Sequence, residues 1–226
     1  MPWVFLKQQM NRLLSWKPTV REIFSTKIPE DSRIVLGFSL RAGSLFALSG
    51  MNGYLMCMKL RRLKEKDITD IRRLYELSFP ERERISLNHL LHDPSETFVI
   101  EEKDQFLGFV SMLCVNDLCH ITYFAIEPAQ RGRGYGTAVL KLLETQKEGS
   151  RIFVDVEMPA LSLSDNARRV RRIAFYEAAG YVSCDIHYLW SSEEYTILSW
   201  PGPLTKKEFI SFWKQIDPFR EIHYHD

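Results

Sequence analysis

Hydrophobic and polar positions follow no regular period over residues 1–57, whereas clear patterns begin near Met58. A short strand at 58–63 is followed by an amphipathic helix, which begins at Asp67 and is stopped by Pro80. We therefore expect residues 1–57 to be an N-terminal extension outside the core of the domain, and their pattern assigns them no role.

The pattern after Pro80 indicates an antiparallel meander, followed by helices and strands in alternation. The meander consists of strands at 97–102, 106–115 and 118–126, preceded by a short helix at 87–92. The elements after it are a helix at 134–147, a strand at 151–158, a helix at 165–180, and strands at 181–190 and 194–200. Because strand and helix alternate only in the middle, the predicted fold class is α+β (mixed α/β) and not a doubly wound sheet.

A break at 201–203 separates the predicted domain, residues 58–200, from a C-terminal segment at 201–226. Thr205 and Glu208 of this segment form a capping box, and an apolar helical stripe follows it. We expect the helix to dock on its own domain. A contact within a homodimer is the alternative.

Charge and composition argue against several classes of partner. Thirty basic and twenty-nine acidic side chains leave a net charge of +1, which gives no global attraction to nucleic acid. Residues 42–58 carry no charge, but polar residues and glycines dilute them below a membrane span. Since the chain also opens without a secretory signal, the sequence predicts a cytoplasmic protein with no nucleic-acid or membrane partner.

The cysteines show no spacing typical of a metal site, so no metal is expected; they are Cys57, Cys114, Cys119 and Cys184. Cys114 and Cys119 could face each other across a hairpin turn at 116–117. We interpret them as two buried thiols in a reducing compartment, with a disulfide as the alternative.

Three glycines occur within five residues, between the strand at 118–126 and the helix that follows. A glycine-rich turn in this position can hold phosphate, because several backbone N–H groups converge at the positive end of a helix. The glycines fit neither the dinucleotide motif GxGxxG nor a P-loop, which requires a lysine that is missing here. The frame that fits is RxxGxG, formed by Arg131, Gly132, Arg133, Gly134, Tyr135 and Gly136.

On this frame the sequence resembles the GCN5-related N-acetyltransferases (GNAT), whose coenzyme A site is built on it. A second stretch, "RRIAFYEAAGY" at 171–181, is similar to the family's helix that ends in a Phe-Tyr pair, followed by a glycine and an aromatic residue. The two stretches stand in the expected order, and the resemblance covers roughly residues 58–200. It implies an acyl-CoA N-acyltransferase fold with a central mixed, mostly antiparallel sheet. The fourth and fifth strands, at 118–126 and 151–158, would splay apart to admit the cofactor.

The resemblance also implies where acetyl-CoA would bind. Contacts with pantetheine and the acyl carbonyl are expected near Phe124, Ala125 and Ile126, and phosphate contacts along the stretch from Arg131 to Thr137. Many family members carry an asparagine seven residues before the helix tyrosine. Here that position is Arg169, and Asn166 lies one turn earlier, which leaves open whether either residue contacts the cofactor.

Catalytic roles follow from the chemistry of an amine acceptor, which attacks only when its nitrogen is neutral. Asp155 and Glu157 share one face of their strand, and Glu157, nearer its end, is the predicted base or ammonium partner. The family resemblance assigns the acid that protonates the leaving thiolate to Tyr176. This tyrosine lies off the predicted core stripe of its helix, which comprises Ala167, Val170, Ala174 and Ala178. His120 is interpreted as a packed histidine.

We therefore predict an acetyl-CoA-dependent N-acetyltransferase that acts on a primary amine of a small molecule or peptide, by direct attack in a ternary complex. A non-catalytic acyl-CoA-binding sensor, the alternative, would keep the glycine frame without needing Tyr176. A nucleotide-binding protein is a third hypothesis, which the missing dinucleotide and P-loop spacings disfavour.

Overall fold

The computed structural model of the protein describes residues 58–92, 94–162, 164–190, 193–218 and 223–224, and the expected N-terminal extension lies outside them. The strands are β1 (Met58–Arg62), β2 (Ser95–Glu102), β3 (Gln105–Val115), β4 (Leu118–Ile126), β5 (Arg151–Glu157), β6 (Val182–Trp190), β7 (Glu193–Trp200) and β8 (His223–Tyr224). The helices are α1 (Ile68–Ser78), α2 (Leu87–Leu91), α3 (Tyr135–Gln146), α4 (Asn166–Ala178) and α5 (Lys206–Ile216).

The strands form one sheet in the order β1-β2-β3-β4-β5-β7-β6-β8. All neighbouring strands are antiparallel except β4 and β5, which run parallel. A parallel pair needs a crossover connection, and here α3 supplies it. The prediction of a mixed, mostly antiparallel sheet is confirmed.

The parallel pair separates after three residues. Residues 118–120 of β4 pair with residues 151–153 of β5, and the pairing ends there. Farther along, β4 stays paired with β3, while β5 stays paired with β7 as far as the Glu157–Tyr195 pair. A V-shaped gap therefore opens between β4 and β5 toward their C-terminal ends, which is the splay that the resemblance implied.

Helices cover both faces of the sheet. On one face lie α3 and α4, where Val139, Leu143 and Tyr176 join a buried cluster with strand side chains. On the other face, α1 and α2 cover β2 to β4, and α5 packs over β5, β6 and β7 through Phe209 and Trp213. Each fully buried large apolar side chain contributes about 1.5 to 3 kcal/mol, so these layers stabilise the two sides of the gap. No helix in the described part of the chain is long and apolar enough to cross a membrane.

The predicted core stripe of α4 is wrong. All four of its members are exposed, namely Ala167, Val170, Ala174 and Ala178. The buried side of the helix instead carries Arg169 and Tyr176. This side meets carboxylates at the ends of β5 and β7, so an ion-paired guanidinium and an aromatic ring fill an interface that small apolar residues were expected to fill.

The interpretation of Cys114 and Cys119 as two thiols is also wrong. They pair across β3 and β4 with their Cα atoms 4.1 Å apart, and their sulfur atoms form a disulfide. The tight turn between the two strands brings the side chains together. Cys184 is the buried free cysteine of the described residues. The cysteines therefore give no support to the expected reducing compartment.

Candidate functional site

The end of β4 forms one wall of the gap. Phe124 and Ile126 belong to the cluster beneath α3 and α4, and Ala125 belongs to the cluster on the opposite face. The register with β3 shifts between Ile121 and Tyr123, so the strand bulges here. Because bulges redirect the backbone beside functional sites, this end of β4 is a candidate for contacts with an acyl group.

The three glycines of the loop after β4 serve two purposes. Gly132 and Gly134 have φ angles of 74° and 83°, in the left-handed region that other residues rarely enter, and Gly134 immediately precedes α3. Gly136 lies within α3, where a Cβ atom would come 3.0 Å from the Phe175 ring of α4. The first two glycines turn the chain into the helix, and the third allows α3 and α4 to pack closely.

The turn leaves a set of backbone donors at the start of α3. Within the described part of the chain, the amides from Gly132 to Thr137 donate to no other protein group. Such donors form an anion site together with the positive end of the helix. Arg131 ties this loop to the end of β4, because its Nε donates to the carbonyl oxygen of Ile126 at 2.9 Å. The loop thus holds its amides beside the gap.

The side chains of the loop are less suited to a phosphate. Arg133 donates to Oε1 of Gln130 at 3.0 Å, and the hydroxyl of Tyr135 donates to Oε2 of Glu102 at 2.7 Å. This bond, together with burial, raises the pKa of Tyr135. The backbone is therefore the better candidate for the phosphate contacts that the sequence assigned to this stretch.

Tyr176 is buried on the gap side of α4, with 5% of its surface exposed. Its ring lies 5.0 Å from that of Phe175 and 5.5 Å from that of Tyr181, and it belongs to the core cluster. The helical stripe therefore wrongly placed Tyr176 outside the core. Burial raises the pKa of Tyr176 to about 12, against a smaller opposing effect of Arg172, and the charge of Glu157 raises it further. The hydroxyl therefore stays protonated at neutral pH, within electrostatic range of Glu157.

Glu157 ends β5 and forms an ion pair with Arg172 of α4 through its Oε2 atom. The side chain of Glu157 is 15% exposed, and that of Arg172 is 38% exposed. The carboxylate is therefore held in place between the strand and the helix, with its charge balanced by a guanidinium.

Arg169 is engaged by protein groups. Its Nε donates to Asp165 at 3.0 Å, and its Nη1 donates to Glu193 at 2.9 Å and to the Met158 carbonyl at 3.3 Å. One turn earlier, Oδ1 of Asn166 is buried without a partner in the described residues. Of the two residues that the sequence left open, Asn166 is the better candidate for a ligand contact.

Asp155 has a neighbour that the sequence analysis did not connect with it. Its Oδ2 accepts a hydrogen bond from the hydroxyl of Tyr188 at 2.8 Å and lies 3.4 Å from Nε2 of His120. Strand alternation placed Asp155 on the face of Glu157, but the approach of His120 depends on the pairing of β4 with β5. No local pattern in the sequence specifies that pairing.

The family model of the acetyltransferase (GNAT) domain matches residues 93–183. The match contains the gap, the glycine loop and α4. A comparison with curated protein sequences gave no significant match. The family match supports an acyltransferase and leaves the substrate class undetermined.

Solved structures share the fold at low sequence identity. A protein described as a GNAT-family acetyltransferase from Bacteroides thetaiotaomicron has a TM-score of 0.59 at 20% identity, over 71% of this chain and 97% of its own. The ribosomal-protein-S18-alanine N-acetyltransferase of Escherichia coli has a TM-score of 0.49 at 18% identity, over 66% of this chain and 97% of its own. An aminoglycoside 6'-N-acetyltransferase complexed with coenzyme A has a TM-score of 0.49 at 14% identity, over 65% of this chain and 99% of its own. The first of the three exceeds 0.5, and at its identity it shows a shared fold and not a shared substrate.

Proposed function

We propose that this chain is an acetyltransferase of the GNAT superfamily, which transfers the acetyl group of acetyl-CoA to a primary amine of a small molecule or peptide. The match of the GNAT domain model to residues 93–183 supports the proposal. The amine attacks directly within a ternary complex. The observation that carries the proposal is the gap between β4 and β5, which opens directly before the loop at the start of α3, whose amides have no protein partner among the described residues.

The residues present fit acetyl-CoA at this position. The amides from Gly132 to Thr137 are donors at the positive end of a helix, which suits the diphosphate group. The end of β4, residues 124–126, lies between these donors and the gap, where the pantetheine arm would run. When bound, acetyl-CoA supplies an activated acyl carbon and a thiolate leaving group.

The transfer requires two proton movements besides the exchange of bonds. An ammonium first gives one proton to a base, and the neutral nitrogen then forms a bond to the acyl carbon while the bond from carbon to sulfur breaks. Tyr176 donates its hydroxyl proton to the departing sulfur, and it recovers a proton from the nitrogen that has become part of the amide. A phenol with a pKa of about 12 is present as the acid at neutral pH, as this role demands.

Glu157 serves as the partner of the substrate ammonium in this proposal. Its Oε2 atom is occupied by Arg172, which holds the carboxylate in place at the end of β5. The ion pair favours a role in positioning the amine.

Calorimetric titration with acetyl-CoA tests the proposal, with NAD and ATP as comparison ligands. We expect binding of acetyl-CoA that weakens by about 100-fold or more in Gly132→Glu, because the new carboxylate would face the phosphates. Gly149→Glu is the matched control: Gly149 has a φ of 85°, Gly132 one of 74°, and a Cβ atom at either position meets nothing within 4 Å. The two variants thus carry similar backbone strain, but only one lies in the loop.

A folded protein that does not bind acetyl-CoA would contradict the proposal, as would an equal loss of binding in both variants. Binding without turnover on a broad panel of amines would favour the acyl-CoA sensor. Assembly as a homodimer and location in the cytoplasm stay predictions.

A further inference from the structure

His120 lies at the point where β4 and β5 separate. It belongs to the last pair of the parallel ladder, opposite Phe153, and is 2% exposed. Neither of its ring nitrogens has a hydrogen-bond partner among the described residues. A buried polar group without a partner costs about 1 to 3 kcal/mol, so packing alone is a poor explanation for a histidine here.

The surroundings of His120 hold its ring in one orientation. The ring stacks on Phe153 at 4.8 Å, and α5 contributes Trp213 at 5.1 Å and Phe212 at 6.3 Å. Leu113 of β3 pairs with His120 from the other side. This aromatic enclosure fixes the direction in which the two nitrogens face.

A carboxylate lies in that direction. Oδ2 of Asp155 is 3.4 Å from Nε2 of His120, and the same oxygen accepts a hydrogen bond from the hydroxyl of Tyr188. The carboxyl group of Asp155 on β5 is thus the titratable neighbour of His120, and the phenol of Tyr188 on β6 contacts the same carboxyl group. The elements β3 and α5 present apolar or aromatic side chains to it.

Asp155 also lies at the edge of the gap. It follows Phe153 by two residues on the same face of β5, so it stands one step beyond the last residue that pairs with β4. Its side chain is 15% exposed, and its Oδ1 atom is buried, which leaves Oδ2 as the oxygen for contact with a ligand. Glu157 is the next residue on this face, and its Oε2 atom is held by Arg172.

We propose that Asp155 accepts the proton of the acceptor ammonium and that His120 takes it over, as a positioning residue that acts through Asp155. The proton passes from the ammonium nitrogen to Oδ2 of Asp155 and then to Nε2 of His120. This leaves a neutral amine and an imidazolium beside a carboxylate, with no net change of charge in the site. After the product leaves, the imidazolium returns its proton to Oδ2 of Asp155, and the carboxyl group releases it to solvent. The inference rests on the proposed function and assigns its base.

The first test measures turnover against pH in variants that bind acetyl-CoA as tightly as the unmodified protein. We expect Asp155→Asn to lower kcat/KM by about 100-fold or more, because the primary acceptor is lost. His120→Gln should lower it by about 10- to 100-fold and displace the acidic limb of the pH profile. A purely structural histidine would not move that limb.

His89→Gln is the matched control, because His89 is also 2% exposed but lies in α2, with Nδ1 bonded to Ser86. We expect it to lower the urea midpoint of unfolding without changing the pH profile. If His120→Gln behaves like His89→Gln, or if Asp155→Asn keeps normal turnover, the proposal is wrong.

A second test needs no substrate and separates failure of this inference from failure of the proposed function. The nitrogen chemical shifts of the six histidine rings are recorded by NMR, and the signal absent in His120→Gln identifies His120. We expect Asp155→Asn to move this signal and Glu157→Gln to leave it in place. An unmoved signal in Asp155→Asn would show that the pair does not exist, whatever the protein acetylates.

Discussion

Helices α3 and α4 cover the same face of the sheet, yet they follow different rules of burial. The buried side of α3 carries mainly apolar residues, among them Val139, Leu142 and Leu143, with Glu144 buried beside them. The buried side of α4 carries Arg169 and Tyr176, while its predicted apolar stripe is exposed. The difference lies in what each helix meets: α3 packs on apolar strand residues, and α4 borders the gap.

A helix beside the gap can bury polar groups where the chain around the gap supplies their partners. Arg169 reaches the carboxylates of Asp165 and Glu193 together with a main-chain carbonyl at the end of β5. Such contacts offset the cost of removing a guanidinium from water. Three alanines and Val170 form the competing stripe, and the small alanine side chains lose little by facing solvent. On α4, hydrophobic periodicity is therefore a poor guide to the buried side.

The largest expected effect concerns activity on the α4 side. We expect Tyr176→Phe to lower turnover by about 10²- to 10⁴-fold, because the proton donor for the thiolate is removed. Stability should change little, since the ring stays in the core. The measurement is turnover with a saturating amine, once an acceptor has been identified.

Tyr181→Phe is its matched control, because Tyr181 is buried beside Tyr176 and its hydroxyl has no partner in the described residues. Turnover should stay normal in this variant. Equal losses in the two variants would mean that Tyr176 has a packing role alone, and α4 would then lose its functional distinction from α3.

The largest expected effect on stability lies in α3. Leu143 is fully buried, so Leu143→Ala should lower the free energy of unfolding by about 2 to 5 kcal/mol through lost burial and a cavity. On α4, Val170 is 48% exposed, and Val170→Ala should change the free energy of unfolding by about 0.5 kcal/mol or less. Urea unfolding measures both variants. Similar losses would contradict the burial pattern described for the two helices.

Loss of the buried guanidinium of α4 should lower the free energy of unfolding by an amount between those of Leu143→Ala and Val170→Ala. We expect Arg169→Met to cost about 2 kcal/mol, because Glu193 and Asp165 lose a partner, although both stay partly open to water. Arg168 provides the comparison, since its side chain is 64% exposed and its pairing with Asp165 contributes little. Unfolding in urea should therefore separate Arg169→Met clearly from Arg168→Met. Equal midpoints would argue against a structural role for the buried arginine.

The smallest expected effect lies in α5, away from both helices. The bond with Arg151 and the capping contacts lower the pKa of Glu208 to about 2 from 4.5. A depressed pKa stabilises the fold above about pH 4.5, and this stabilisation is lost as the pH falls toward 2. Glu208→Gln should thus cost about 1 kcal/mol or less at pH 7, because the side chain is 36% exposed, and nothing near pH 2. A cost that is the same at both pH values would exclude the charge as its source.

Much of the fold could be predicted because it follows from local patterns. The turn at 116–117, the glycine at 149 and the alternation along β5 mark element boundaries within two residues of those observed. The sharp turn of the glycine loop could be predicted, since φ values near 80° require a distinctive local sequence. The buried side of α4, the disulfide and the pair formed by His120 and Asp155 could not, because each depends on residues from separate strands or helices.

The sequence by itself determined the order of the elements, the glycine turn before α3 and the resemblance that linked this turn to coenzyme A. These features depend on neighbours a few residues apart, which hydrogen bonding and backbone sterics already constrain. The tertiary structure decided where β4 and β5 separate, which side of α4 is buried and which carboxylate faces His120. The physical reason is that burial and ion pairing are properties of surroundings, and the surroundings of the gap exist only after distant segments have packed around it.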